Sequence, residues 1–115
     1  MIRVNHSLTD INEANQLVID TIKNNSNELS IVWLSAVHYL SSVFFDIKTI
    51  SELCNSLNIL LFLDMAHAVG AVPLYLHDWN VDAGVFCTTK HINGGAGSIG
   101  GLFIHEKYAS VEPGF

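Results

Sequence analysis

Two residues of this sequence stand where chemistry is done. Asp64 closes the apolar run Ile59-Leu60-Leu61-Phe62-Leu63. Lys90 follows the run Ala83-Gly84-Val85-Phe86-Cys87 by way of Thr88 and Thr89. Short apolar runs of this kind predict buried strands of a parallel sheet. In open α/β sheets, ligands bind beyond the carboxyl ends of the strands. Asp64 and Lys90 are therefore expected at one crevice.

A lysine amine beside a carboxylate is the pair that pyridoxal 5'-phosphate (PLP) requires. The amine binds the aldehyde carbon and the anion faces the protonated ring nitrogen. Each residue also has a plainer reading. Asp64 could cap a helix that starts after the strand. Lys90 could be a solvated loop lysine. An apolar crevice would lower its pKa and make it a nucleophile. Ser35 ends the run Ile31-Val32-Trp33-Leu34 as Asp64 ends its own. Its hydroxyl could donate to a carboxylate or phosphate, or could simply start a turn. His67, in the same segment as Asp64, is the histidine expected in the crevice.

The elements that must position these residues alternate. Asp10-x-x-Glu13 is a capping-box variant. Ile11, Ala14, Leu17, Val18 and Ile22 then recur at helical spacing, up to the polar cluster Asn24-Asn25-Ser26-Asn27. The strand Ile31–Ser35 follows. Asp46 is a good N-cap for a second helix with the apolar face Ile47, Ile50, Leu53, Cys54 and Leu57. After it come the 59–63 strand, a loop or short helix through Tyr75, the 83–87 strand, the glycine turn 94–97 and a short strand at 102–104. Helix–strand alternation of this kind predicts an α/β fold on a parallel sheet.

Composition limits what such a unit can be. The chain has 115 residues, half of them hydrophobic and only 14% charged, where a soluble domain carries roughly 25% charged residues. Small domains have much surface to cover, so this one is expected to be an interior piece of a larger protein or a partner-dependent subunit. Net charge is −6, with five Lys and Arg in all. That argues against nucleic acid and against an anionic membrane surface. No apolar stretch approaches a membrane span, and Met1 to His6 carries no apolar leader. Cys54 and Cys87 have no metal or disulfide-framework spacing, which favours a reducing, intracellular setting.

Two further patterns are set aside. Gly95-Ala96-Gly97-Ser98-Ile99-Gly100 matches G-x-G-x-x-G. That fingerprint needs a strand before it and a helix after it, and here a strand-like run follows. The six histidines show no zinc-motif spacing, so no metal is expected.

The motifs together resemble a known family. Asp64-Met65-Ala66-His67-Ala68-Val69-Gly70, Leu74-Tyr75-Leu76-His77-Asp78-Trp79, Lys90 through Asn93-Gly94-Gly95-Ala96-Gly97, and Phe103-Ile104-His105-Glu106-Lys107 resemble kynureninases. Ser35-Ala36-Val37-His38 is similar to that family's Ser-Gly-Val-His segment. The resemblance implies a partial three-layer α/β/α fold with a mainly parallel sheet. Residues 1–115 would be the central part of the large domain of a PLP-dependent, fold type I enzyme. It implies a cytoplasmic homodimer of tryptophan catabolism and NAD biosynthesis. Such an enzyme hydrolyses L-kynurenine to anthranilate and L-alanine, and 3-hydroxykynurenine to 3-hydroxyanthranilate. Lys90 would carry the cofactor and move the Cα proton, and Asp64 would pair with the ring nitrogen. Ser35, His67 and Thr89 would lie against the cofactor.

Thr89 departs from the family's tyrosine at that position, keeping a hydroxyl but hardly able to act as an acid. The segment Tyr39-Leu40-Ser41-Ser42-Val43 departs from a Tyr-Thr-Gly-Gln pattern. The other readings are a cysteine desulfurase, a class V aminotransferase or a non-catalytic remnant. The first two typically carry glutamine in place of His67 and histidine in place of Thr89. The isolated chain is expected to bind PLP weakly and not to turn over, because PLP affinity depends on phosphate contacts.

Overall fold

In a computed structural model, residues 1–2 and 10–111 are described. The segment Arg3 to His6, part of the opening run considered above, lies outside them. The order is α1 (Ile11–Asn24), β1 (Ile31–Ser35), α2 (Ile47–Ser56), β2 (Leu60–Asp64), β3 (Ala83–Cys87) and β4 (Gly100–Ile104), with a 3-10 turn at Glu106–Tyr108. The strands form one sheet in the order β1-β2-β3-β4.

Both helices start where the capping residues place them. Asp10 accepts the N–H groups of Asn12 and Glu13 at 2.8 and 2.9 Å. Asp46 accepts the Thr49 N–H at 3.1 Å. These bonds satisfy amides that have no partner inside the helix. The end of α2 is a Schellman turn. Asn58 takes the left-handed conformation (φ 55), its N–H donates to Asn55 O at 3.2 Å, and the Ile59 N–H donates to Cys54 O at 2.9 Å. Ile59 thus belongs to the helix cap, and β2 begins one residue later than the apolar run.

Pairing of β1 with β2 and of β2 with β3 is parallel. The expected parallel run fails at the last strand, because β3 and β4 pair antiparallel. The reason is the connection. Residues 88–99 contain no helix, and a parallel return needs a crossover across the sheet. The connection from β2 to β3 is a series of turns, with no helix before Tyr75.

One face of the sheet is covered. Leu61 and Leu63 pack with Ala14, Val18 and Ile22 of α1 and with Ile47, Ile50 and Cys54 of α2. Met65, Ala68 and Val81 of the β2–β3 connection complete this core. The other face is apolar and open: Trp33 is 62% exposed, Leu102 64% and Ile104 58%. The described residues therefore supply two layers of the expected three. Trp33 and Phe62, paired across β1 and β2, meet edge-on at 6.1 Å on the open face.

Candidate active site at the carboxyl ends of the parallel strands

Register brings the strand-terminal residues together. Ser35 and Asp64 are directly paired, and Asp64 is paired with Val85. Side chains alternate between faces along a strand, so Ser35, Asp64, Val85 and Cys87 share the open face. Asp64 and Ser35 are half-buried.

The Asp64 carboxylate is oriented by its own turn. Its Oδ1 accepts the Ala66 N–H at 2.9 Å. The plainer reading, a helix N-cap, is not realised, since turns and not a helix follow. Among the described residues Oδ2 accepts no hydrogen bond, so one oxygen is held and the other is available. His67 lies in the next turn, half-buried, where the Ala68 and Val69 N–H groups donate to Met65 O at 2.9 and 3.0 Å.

Thr89 and Lys90 leave β3 in an exposed loop. Among the described residues no layer lies opposite this face, so they do not provide the apolar surroundings expected for Lys90. Lys90 makes no ion pair among the described residues. The Thr89 hydroxyl donates to Cys87 Sγ at 3.3 Å. That hydrogen bond draws the Cys87 thiol below its ordinary pKa, and the Lys90 charge adds to the effect. Sequence reasoning did not place Cys87 in the site. Its signal was its place on the same strand face as Asp64's partner, Val85.

The turn bearing Asp64 and His67 also touches the loop bearing Lys90. Gly70 has φ +82, and a Cβ there would lie 3.2 Å from the carbonyl carbon and oxygen of His91. A left-handed conformation and a backbone contact coincide at Gly70, and glycine meets both without strain. Two segments distant in sequence thus meet one residue beyond Lys90.

A held carboxylate with one open oxygen, a hydroxyl on the neighbouring strand and an exposed amine, all at strand ends, fit PLP: the acid suits a ring N–H and the amine suits an aldehyde. Solved structures share the fold. Ureidoglycine-glyoxylate aminotransferase from Bacillus subtilis matches with a TM-score of 0.71 and 20% identity, over 83% of this chain and 24% of that one. A cysteine desulfurase from Thermococcus onnurineus matches with a TM-score of 0.70 and 17% identity, over 78% and 22%. The fold these structures share with the chain is fold type I. Within it, residues 4–113 match the aminotransferase class-V family, and the chain belongs to that family.

Curated relatives narrow the likeness to kynureninases. That of Saccharomyces cerevisiae is 46% identical over 99 residues, covering 85% of this chain and 22% of the relative. That of Yarrowia lipolytica is 42% identical over 107 residues, covering 93% and 23%. That of Nematostella vectensis is 44% identical over 92 residues, covering 80% and 20%. The chain thus spans about a fifth of the length of the relatives it matches.

Proposed function

We propose that residues 1–115 form the central part of the cofactor-binding large domain of a kynureninase-like hydrolase. It would cleave L-kynurenine to anthranilate and L-alanine, and 3-hydroxykynurenine to 3-hydroxyanthranilate. The observation that carries the proposal is the convergence of Ser35, Asp64 and the Lys90 loop at adjacent strand ends, in a chain whose relatives named kynureninase reach 47% identity. The open apolar face supports a place inside a larger domain, since contiguous exposed apolar surface marks an interface.

When bound, PLP supplies an electron sink at the substrate's Cα. The remaining work falls to the chain. Asp64 Oδ2 would accept the ring N–H and keep that nitrogen protonated, while the Ala66 amide holds the other carboxylate oxygen. Lys90 would hold the cofactor through its amine. The same amine would serve as the general base for the Cα proton and as the acid that returns it. His67 and Ser35 would lie against the cofactor, and Thr89 would offer it a hydroxyl on turning from Cys87. The 115-residue chain by itself binds PLP weakly and does not turn over, because its open face leaves the site in water.

Two unpaired cysteines support a cytoplasmic enzyme. No described helix is long and apolar enough to cross a membrane. The acidic balance supports a small-molecule substrate without nucleic-acid or membrane partners. The resemblance to kynureninases supports a homodimer as the assembly. The test is release of fluorescent anthranilate from kynurenine by the holoenzyme of the larger protein in which these residues would form the central part. Lys90→Ala should abolish both that release and the long-wavelength absorbance of bound cofactor. Sulfur release from cysteine without anthranilate would overturn the proposal in favour of a desulfurase, and absorbance persisting in Lys90→Ala would remove Lys90 from its role.

A further inference from the structure

The loop that carries Lys90 is closed at its base by one residue. The Thr88 N–H donates to Ile99 O at 3.2 Å, and Thr88 O accepts the Gly94 N–H at 2.7 Å. The Thr88 hydroxyl donates to the same Ile99 carbonyl. Inside the loop, the Asn93 N–H donates to Lys90 O at 3.0 Å. The loop is closely packed at this point. A Cβ at Gly94 would lie 2.9 Å from each of Thr88 O, Thr88 Oγ1 and Ser98 Oγ. Threonine suits the task, because β-branching restricts its side-chain rotation and leaves the hydroxyl aimed at the backbone.

We infer that Thr88 is a positioning residue. Its hydroxyl and both backbone groups clamp the 88–99 loop, so that Lys90 leaves β3 in one fixed direction beside the turn bearing Asp64 and His67. The Gly70–His91 contact holds the far side of the same short segment. Lys90 lies between the two restraints and is touched by neither through its side chain, so the amine stays free for cofactor and substrate. This inference rests on the assignment of Lys90 as the cofactor-bearing lysine.

The test compares Thr88→Val, which removes the hydroxyl at similar shape, with Thr88→Ser, which keeps it. In the cofactor-free protein, amide hydrogen exchange at Gly94 should speed up about fivefold in Thr88→Val, the loss of one ordinary hydrogen bond. Thr88→Ser should stay within about twofold of the parent. In the holoenzyme, Thr88→Val should lower kcat about tenfold with KM within about twofold, the mark of a misplaced reacting group rather than lost binding. The pH dependence of the bound cofactor's absorbance should shift in the same variant and return in Thr88→Ser. Unchanged exchange in Thr88→Val, equal defects in both variants, or kcat and KM moving together would each overturn the inference. If Thr88→Val does not fold, Gly94→Ala loads the same clamp from the other side and should give the same split, and an unaltered kcat there overturns it. The exchange readout needs neither cofactor nor substrate. Failure of anthranilate release by the parent enzyme would therefore sink the kynurenine reading and leave the clamp to be judged on exchange alone.

Discussion

The two ends of this sheet are built differently. At the carboxyl ends of β1 to β3, Asp64 holds one hydrogen bond to its own turn and Lys90 is exposed. At the opposite end, side chains are tied to one another. Asp82, 3% exposed, receives the Leu61 N–H at 2.7 Å, the Tyr108 hydroxyl at 2.5 Å and the Lys107 ammonium at 2.8 Å. His77 pairs with Glu106 at 2.8 Å and stacks on His105. The Asp82 network bolts the start of β2 and β3 to the exit of β4, which fixes strand order without a helix between β3 and β4. The groups proposed to bind cofactor are free at one end, and the restraints that hold the strands collect at the other.

Protonation separates the ends as well. Burial alone would raise the Asp82 carboxyl. The hydrogen bonds from Lys107, Tyr108 and Leu61 outweigh it and hold the group below the usual carboxylate range. The same pairing lifts the Tyr108 hydroxyl to about 12, with burial adding to the rise. Burial, with the Asp82 charge, lifts the Cys54 thiol to about 11, so Cys54 stays protonated in the core.

The contrast can be broken in order of effect. Asp82→Ala removes the shared acceptor of the Lys107 ammonium, the Tyr108 hydroxyl and the Leu61 N–H, and should cost about 3 kcal/mol in urea unfolding. Equal stability of variant and parent would remove the idea of a bolted end. Next is Gly70→Ala at the open end, which forces a side chain into a left-handed position against His91. About 1–2 kcal/mol should be lost, together with cofactor absorbance. A variant that binds cofactor normally would show that the two segments need not touch. Tyr108→Phe removes one hydrogen bond to a charged group and should cost about 1.5 kcal/mol.

Acid should act through the bolted end. Asp82 has a lowered folded pKa, so its stabilisation is full above the ordinary carboxylate value and is lost as pH falls through the lowered one. The acid limb of the stability profile should flatten in Asp82→Asn, and a parallel profile would assign that limb to other carboxylates. The smallest effect belongs to Ser98. Its hydroxyl is buried and has no hydrogen-bond partner among the described residues, so Ser98→Ala should change stability by no more than about 0.5 kcal/mol. A larger loss would reveal a partner for that hydroxyl.

Much of the fold was legible because its causes are local. Asp10 and Asp46 cap helices through amides two or three residues away, and the apolar runs at 31–35, 59–63 and 83–87 mark strands within one residue. Asp64 and Lys90 were legible as a pair because each follows such a run. The antiparallel β4 was missed, since strand direction depends on what spans 88–99 and not on the strand itself. Asp82 was missed because its partners Lys107 and Tyr108 lie far along the chain. Thr88 was passed over because its partner Ile99 is reached only when the loop closes.

By itself, the sequence determined the order of elements, the helix starts, the strand-terminal acid, hydroxyl and lysine, and the family motifs, all set by neighbours along the chain. Only the tertiary structure decided that Ser35 pairs with Asp64, that Gly70 meets His91, that Thr88 clamps the Lys90 loop, and that the far end is bolted by Asp82. Each of these depends on register, strand direction and contacts between segments distant in sequence, which local preference does not encode.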